Sequence, residues 1–304
     1  MSAIVSVVIC THNPVDERLL ATLEALKSQT LSAETWETII VDNASKHFPP
    51  RELLGLHAPV NARIVREPEL GLSLARRCGL RESVAPIVVF VDDDNVLEPD
   101  YLESALTLMS SDPRIGAAGG RAYPSFEVQP ESWHTEFFSQ LALRDPGEHL
   151  LVSEPGVHTY PVFAPIGAGL IVRREAAKPW LARAGNNTPP DRRGTSLSSA
   201  GDNDLVFTIL ESDWSVAYSP RLRLTHIIPA SRLDPAYLAR LNRGIQESWI
   251  RVLRLHNVCP WPPLSRAGAA LRKLRAFFTH RAWRRGAPRV RWQGACGHFD
   301  GRVA

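Results

Sequence analysis

Runs of consecutive apolar residues alternate, early in the chain, with segments whose apolar residues recur at helical spacing. Uninterrupted runs rich in β-branched residues are typical of strands buried on both faces of a parallel sheet. The first helix is expected to begin at Pro14 with Asn13 as its N-cap, and a second helix covers residues 71–83. This alternation predicts an α/β protein with a doubly wound, mostly parallel sheet. The predicted strands are residues 5–10, 37–41, 62–65 and 87–91.

After residue 99 the predicted elements are less regular. Residues 185–200 form a loop rich in Pro, Gly and Ser, a composition typical of mobile segments. A helix is expected to begin at Asp234 and Pro235, and prolines break it near residue 260. No pattern is evident after Gly286. The other predicted elements are helices at 99–110, at 131–143 and from residue 201, with strands at 115–119, within 163–172, at 214–218 and at 222–226.

The formal net charge of +3 conceals two regions of opposite charge. Residues 231–304 contain 15 Lys and Arg against 3 Asp and Glu, whereas residues 1–230 contain 20 against 29. A basic C-terminal part suggests contact with phosphate-rich material, although we expect no nucleic acid partner. Four scattered cysteines form no disulfide framework, which favours a reducing compartment. Without a charged leader or an apolar run of about 18 residues, a cytoplasmic protein is expected, at most peripheral to the inner face of a membrane.

Three adjacent carboxylates, Asp92, Asp93 and Asp94, follow the strand predicted at residues 87–91. Ligands of open α/β sheets bind at the carboxyl ends of the strands, so these side chains lie where a site is expected. Adjacent carboxylates repel one another unless a cation shares them. The alternative is a solvated acidic turn that caps the helix beginning near Pro99. No Gly-x-Gly-x-x-Gly motif follows the first strand, which argues against the usual nicotinamide or flavin site.

Five motifs, in order along the chain, resemble those of family 2 glycosyltransferases, GT-A enzymes that move a sugar from a nucleotide diphosphate with inversion. The resemblance implies a GT-A domain at residues 1–230, with a nucleotide-sugar-binding half at 1–120 and an acceptor-binding half at 121–230. Residues 231–304 are then a basic helical C-terminal extension. The motifs are Val-Val-Ile-Cys-Thr-His-Asn at 7–13, Val-Asp-Asn-Ala-Ser at 41–45, Gly-Leu-Ser-Leu-Ala-Arg at 71–76, Asp-Asp-Asp at 92–94 and Gly-Asp-Asn-Asp at 201–204.

The resemblance also implies roles for individual residues. Asp42 would accept the ring N–H of a pyrimidine, which favours a UDP-sugar as donor and a dTDP-sugar second. Asp94 and His226 would hold Mn²⁺ or Mg²⁺, hard cations that prefer oxygen ligands and stabilise a departing diphosphate. Asp202 would be the general base that takes the proton of the acceptor hydroxyl. The residues implied to bind the nucleotide sugar are Cys10, Thr11, Asn13, Asp42, Arg76, Asp92 and Asp93.

Local structure offers an alternative for several of these roles. Asp42 is also typical of a turn cap, Asp202 of a helix N-cap, and His226 of a buried structural histidine.

The expected reaction is hexosyl or N-acetylhexosaminyl transfer to a glycan, a lipid-linked acceptor or another hydroxyl compound, as in polysaccharide biosynthesis.

The sequence departs from the family pattern at four positions. Cys10 stands where proline is frequent, and Glu69 and Arg77 stand where asparagine is frequent. Gly201 replaces the usual acidic neighbour of Asp202. This last departure supports the rival hypothesis, a catalytically silent protein that binds nucleotide sugars or acts as a scaffold. A sugar nucleotidylyltransferase is disfavoured because no Gly-rich phosphate loop follows the first strand.

Residues 264–285 combine helical periodicity with positive charge. This layout fits an interfacial helix, which inserts its apolar face at the headgroup boundary of an anionic membrane. The alternative is a helix that packs the same face on the protein and exposes its arginines to water. The apolar positions are Leu264, Ala267, Leu271, Leu274 and Phe278, followed by Trp283.

Overall fold

The computed structural model describes residues 3–183, 197–198 and 200–303. The strands in these ranges are β1 Val5–Thr11, β2 Trp36–Asn43, β3 Ala62–Glu67, β4 Ile87–Asp92, β5 Asn95–Leu97, β6 Ile115–Phe126, β7 Leu151–Val152, β8 Ile171–Arg173 and β9 Ser215–Ile228. The α-helices are α1 Asp16–Lys27, α2 Arg51–His57, α3 Leu72–Glu82, α4 Tyr101–Ser111, α5 Lys178–Ala182, α6 Gly201–Glu211, α7 Pro235–Leu255, α8 Arg266–Thr279 and α9 Ala287–Gly301. Short 3₁₀ helices cover Ala33–Thr35, Ser132–Leu141 and Ala230–Leu233.

All these strands belong to one sheet, in the order β3-β2-β1-β4-β8-β6-β9-β5, with β7 paired to β9. The pairs β3–β2, β2–β1 and β1–β4 are parallel. The pairs β4–β8, β8–β6, β9–β5 and β9–β7 are antiparallel. The predicted α/β class is confirmed, and its parallel part comprises the four strands that the apolar runs predicted.

Successive residues of the central strands pack into two different hydrophobic clusters, because side chains alternate between the faces of a sheet. Val7 and Ile9 of β1 belong to one cluster, together with apolar residues of α1 and α4. Val8 and Cys10 belong to the other, together with apolar residues of α3, α5 and α6. Helices therefore cover both faces of the parallel strands, as the doubly wound prediction requires.

The chain divides into two compact units. The first comprises residues 1–125, 142–185 and 205–227, and it contains the sheet. The second comprises residues 126–141, 186–204 and 228–304, and it contains the C-terminal helices. The domain boundary near residue 230, and the division of the first 230 residues into donor and acceptor halves, stay predictions.

The second unit contains α7, α8 and α9 and the 3₁₀ helix at Ser132–Leu141. The predicted start of α7 is confirmed, because Asp234 Oδ1 accepts the backbone N–H of Tyr237 at 2.8 Å. After Gly286, where the sequence shows no pattern, the structure has α9, which packs against α7. A Cβ atom added at Gly301 would lie 2.7 Å from the Cβ atom of Ile250, so α9 approaches α7 through residues without side chains. No helix in the described ranges is long and apolar enough to cross a bilayer.

Three local expectations differ from the structure or lie outside it. Asn13 does not cap α1, since Val15 holds the N-cap position and no side chain caps that helix. The two strands predicted at 214–218 and 222–226 are one continuous strand, β9. Most of the loop at 185–200 lies outside the described residues.

Candidate active site

Three parallel strands end side by side at one edge of the sheet. The strand registers pair Thr11 of β1 with Asp42 of β2, and Cys10 of β1 with Asp92 of β4. The Thr11 hydroxyl donates a hydrogen bond to Asp93 Oδ2 in the turn after β4. The structure thus brings together residues that lie more than 30 positions apart in the chain, at the edge where α/β sheets bind ligands.

Asn13 joins the loops that follow β1 and β2. Its backbone N–H donates to the Ser45 hydroxyl at 2.8 Å, and its side-chain Oδ1 accepts from the backbone N–H of Lys46 at 2.8 Å. Asn13 has a positive φ of 48°, a conformation that asparagine tolerates better than most residues. The observed role of Asn13 is therefore to hold two site loops together, and its predicted contact with the nucleotide stays a prediction.

Asp42 is buried, at 4% exposure, at the end of β2. Its Oδ1 accepts the backbone N–H of Ser45 at 3.0 Å, which is the turn cap considered as an alternative. Its Oδ2 accepts from Arg66 Nη1 at 3.0 Å. Each carboxylate oxygen has a second lone pair, so these bonds leave acceptor capacity for a ligand.

Arg76 on α3 is buried and faces the end of β4. Its Nη2 atom lies 3.9 Å from Asp92 Oδ1, and its guanidinium carbon lies 6.0 Å from the ring centre of Phe90. The neighbouring Arg77 points elsewhere: its guanidinium lies 3.9 Å from the Trp180 ring and Nη1 donates to the Trp180 carbonyl. The arginine that replaces the frequent asparagine therefore anchors α5 to α3 rather than completing the site.

Cys10 is buried beside the acidic turn. Burial raises the pKa of its thiol far above the ordinary value, and the opposing effect of Arg76 is smaller. The thiol is therefore neutral at physiological pH, and Cys10 can supply packing and a weak hydrogen-bonding group but no thiolate.

Asp94 and His226 face each other because β5 pairs with β9, with Asn95 opposite His226 in the register. His226 Nε2 lies 3.4 Å from Asp94 Oδ1, and both side chains are about 5% exposed or less. Asn95 Nδ2 also donates to Asp94 Oδ1, at 3.2 Å. A carboxylate oxygen and an imidazole nitrogen that face each other are ligand types that could hold a divalent cation.

The spacing of this pair fits a divalent ion. Two donors bound to one octahedral ion by bonds of about 2.1 Å lie about 3 Å apart, close to the observed Asp94–His226 separation. Across the described ranges, no group of three or more His, Cys, Asp or Glu side chains is arranged to hold a metal. Ions of the Mg²⁺ type often take one or two protein ligands together with substrate phosphates and water.

Asp202 and Asp204 belong to the second unit and lie in the first turn of α6. Asp202 is half-buried, and its Oδ1 accepts the N–H of Asn203 at 3.0 Å. Asp204 is buried, with Oδ1 3.0 Å from His256 Nε2, and both side chains of that pair are 1% exposed. The N-cap alternative for Asp202 is wrong, since α6 begins one residue earlier, at Gly201.

Three residues that were not predicted from the sequence support these positions. Asn43 accepts the N–H of Gly71 at 2.8 Å and donates to the Glu69 carbonyl at 2.7 Å, which fixes the start of α3. Arg66 pairs with Asp42, and His256 pairs with Asp204. Asn43 belongs to the second motif and could have been identified from it. The Arg66–Asp42 and His256–Asp204 pairs join distant segments, so no local pattern indicates them.

The mostly parallel α/β sheet and the C-terminal helices are consistent with a GT-A fold. Residues 6–178 match the model of the family described as Glycosyl transferase family 2. This match covers more than half of the chain, and the protein therefore belongs to glycosyl transferase family 2. The expected GT-A fold and enzyme class are confirmed with it.

Three curated relatives carry glycosyltransferase names. The chain is 26% identical over 235 residues to the glucosyl-dolichyl phosphate glucuronosyltransferase of Haloferax volcanii, covering 73% of this chain and 68% of that one. It is 32% identical over 99 residues to the uncharacterized glycosyltransferase YwdF of Bacillus subtilis, covering 33% of this chain and 35% of that one. It is 28% identical over 104 residues to the putative glycosyltransferase EpsH of the same species, covering 34% and 29%.

Proposed function

We propose that this glycosyltransferase moves a sugar, with inversion, from a pyrimidine nucleotide diphosphate sugar to an acceptor hydroxyl. UDP-sugars are the first donors to consider and dTDP-sugars the second, with a hexosyl or N-acetylhexosaminyl group transferred. The observation that carries this proposal is the convergence of Thr11, Asp42 and the Asp92–Asp94 turn at the ends of three parallel strands.

Donor recognition is assigned to the residues at this edge. Uracil and thymine both present a ring N–H, and Asp42 is a buried carboxylate with acceptor capacity beyond its two observed bonds. Asp92 is 35% exposed, so it can contact the ribose while its Oδ1 atom stays 3.9 Å from Arg76 Nη2. Cys10, Thr11 and Asp93 line the same edge. In this proposal Asn13 binds by shaping the loop rather than by its side chain, whose oxygen already accepts from the protein backbone.

Mn²⁺ or Mg²⁺ is assigned to Asp94 and His226. Such an ion, when bound, acts as a Lewis acid that stabilises the charge developing on the departing diphosphate. Asp94 supplies the negative charge, and His226 supplies a ring nitrogen. Asn95 donates to Asp94 and so restricts the orientation of its carboxylate.

Asp202 is assigned as the general base. A carboxylate that accepts a proton from an acceptor must be reachable, and Asp202 is half-buried whereas Asp204 is almost fully buried and paired with His256. Gly201 gives Asp202 no acidic neighbour, so Asp202 would take the proton without a second carboxylate beside it in the chain.

A lipid-linked sugar is the first acceptor to test, with glycans and other hydroxyl compounds as the alternatives. The support is the name of the Haloferax relative, a glucuronosyltransferase of glucosyl-dolichyl phosphate. The same name makes a glucuronosyl donor a useful addition to any donor panel.

Thermal unfolding in the presence of nucleotides tests the donor site. A ligand present at about 100 times its Kd stabilises the fold by about 2.7 kcal/mol, which raises the melting temperature measurably. UDP and dTDP with Mn²⁺ should raise it more than GDP and ADP do. Asp94→Asn should lose the Mn²⁺-dependent part of the UDP shift, whereas the control Asp100→Asn, a more exposed carboxylate paired with Arg223, should keep it.

Equal stabilisation by purine and pyrimidine diphosphates would contradict the proposed role of Asp42. A UDP shift that does not change with Mn²⁺, or that survives in Asp94→Asn, would contradict the metal assignment. Selective UDP binding without hydrolysis or transfer of any UDP-sugar would favour the silent-binding alternative.

A further inference from the structure

Helix α8 in the second unit exposes an apolar face. Leu271, Leu274 and Phe278 are 67%, 56% and 61% exposed, and Trp283 just after the helix is 58% exposed. The rings of Phe278 and Trp283 lie 6.3 Å apart, so the aromatic residue beyond the helix extends the same apolar surface. We call Leu271, Leu274, Phe278 and Trp283 the α8 apolar face.

The opposite side of α8 is the side that packs on the protein. Ala269 and Ala276 are buried, and Lys273 between them forms an ion pair with Asp300 of α9. With about 100° between successive helical residues, Phe278 lies roughly 180° around the axis from Ala269. Among the residues that the structure describes, the hypothesis that this predicted face packs on the protein therefore fails for Leu271, Leu274 and Phe278, whereas Leu264 at its start is buried.

Positive charge surrounds the α8 apolar face. The 52 residues between Glu247 and Asp300 contain 11 Lys and Arg and no Asp or Glu. Arg275, Arg281, Arg284 and Arg285 are exposed, and within the described ranges no carboxylate forms an ion pair with them. Arginines with their charge left to solvent are available to an anionic partner.

We propose that the α8 apolar face and these arginines form a docking surface for a membrane that contains anionic phospholipid. An interfacial helix inserts its apolar side chains at the headgroup boundary while its cationic side chains meet lipid phosphates. A membrane of this kind would contact the α8 apolar face and the arginines at the same time. A nucleic acid would complement the arginines but leave two leucines, a phenylalanine and a tryptophan in water. The proposal uses residues of the second unit alone and does not depend on the proposed donor or base.

Vesicle co-sedimentation of the full-length protein tests this surface. The protein should sediment with vesicles of phosphatidylglycerol and phosphatidylcholine at low salt, be released at high salt, and bind phosphatidylcholine vesicles much less. Leu271→Ser/Phe278→Ser should weaken binding by about tenfold or more for each side chain. Arg281→Gln/Arg285→Gln should weaken it by about fivefold for each charge and reduce its dependence on salt.

Matched controls come from exposed residues of the first unit. Leu56→Ser/Val60→Ser removes two side chains that are 71% and 95% exposed, and Arg51→Gln/Arg81→Gln removes two exposed charges. Both controls should bind vesicles as the native protein does. All the altered side chains are exposed, so melting temperatures should stay close to the native value.

Two results would overturn the proposal. One is equal sedimentation of the α8 variants and the native protein, or no sedimentation of either. The other is a native protein that ignores vesicles but self-associates in light scattering, with Leu271→Ser/Phe278→Ser as a monomer. That result would make the surface an interface between two copies of the chain.

Discussion

The buried pair between Asp204 and His256 should stabilise the first turn of α6, two residues from the proposed base. The two side chains are 1% exposed and their polar atoms lie 3.0 Å apart. Losing a buried hydrogen bond between two side chains is destabilising by about 1–3 kcal/mol. In a chain of this length, 1 kcal/mol of unfolding free energy changes the melting temperature by roughly 2 °C, so His256→Ala should lower the melting temperature by roughly 2–6 °C.

A matched control is available because His158 and Asp213 form a pair at the same distance, 3.0 Å, with side chains that are 51% and 77% exposed. His158→Ala should change stability by at most about 1 kcal/mol, since water solvates both groups of an exposed pair. Differential scanning fluorimetry and urea unfolding of both variants measure the contrast. Equal destabilisation by the two substitutions would show that burial of the Asp204–His256 pair does not increase its contribution to stability.

Variants of Asp204 and Asp202 distinguish a residue that stabilises α6 from a residue that acts as the general base. Asp204→Asn keeps an acceptor for the His256 ring N–H, so the folded variant should keep its transfer rate per folded molecule. Asp202→Asn should leave the melting temperature nearly unchanged and lose transfer. The reverse result, a folded but inactive Asp204→Asn together with an active Asp202→Asn, would assign the base to Asp204.

Two further results are expected. At about pH 8.5, iodoacetamide should alkylate the partly exposed Cys259 but not Cys10. Burial raises the pKa of the Cys10 thiol, so little of it is present as the reactive thiolate. Detection of alkylated Cys10 by mass spectrometry of the folded protein would contradict this prediction. Arg66→Gln should change the free energy of unfolding by less than about 1 kcal/mol, because Arg66 is 63% exposed. Asp42→Asn should weaken UDP binding about tenfold to a hundredfold in calorimetry. Unchanged UDP affinity would show that Asp42 does not contact the pyrimidine.

The sequence predicted the first four strands and the doubly wound arrangement because their apolar runs depend only on local composition. It did not predict α9, whose buried positions include Gly294, Gly297 and Gly301. Hydrophobic periodicity detects faces made of large apolar side chains. It fails where two helices approach through glycine, because the signal is then the absence of a side chain.

The candidate site was predicted through motifs, but its pairings were not. Asp94 and His226 lie 132 positions apart and meet only because β5 pairs with β9. The Asp204–His256 pair likewise joins α6 to the residue after α7. Asn13 was predicted as a cap because Asn-Pro is typical of a helix start. Its side-chain oxygen instead accepts hydrogen bonds from the backbone of the loop after β2. Contacts between distant segments depend on topology, which local patterns do not contain.

Following product formation by ¹H NMR tests whether the protein transfers a sugar with inversion from a pyrimidine nucleotide sugar, with Asp202 as the general base. The probe reaction uses UDP-α-sugars with a glucosyl polyprenyl phosphate as acceptor. The native protein should form a β-linked product, and Asp202→Asn should form it at a rate lower by about 10²–10⁴-fold while still binding UDP. An α-linked product would rule out inversion, and a nearly native rate in Asp202→Asn would rule out Asp202 as the base.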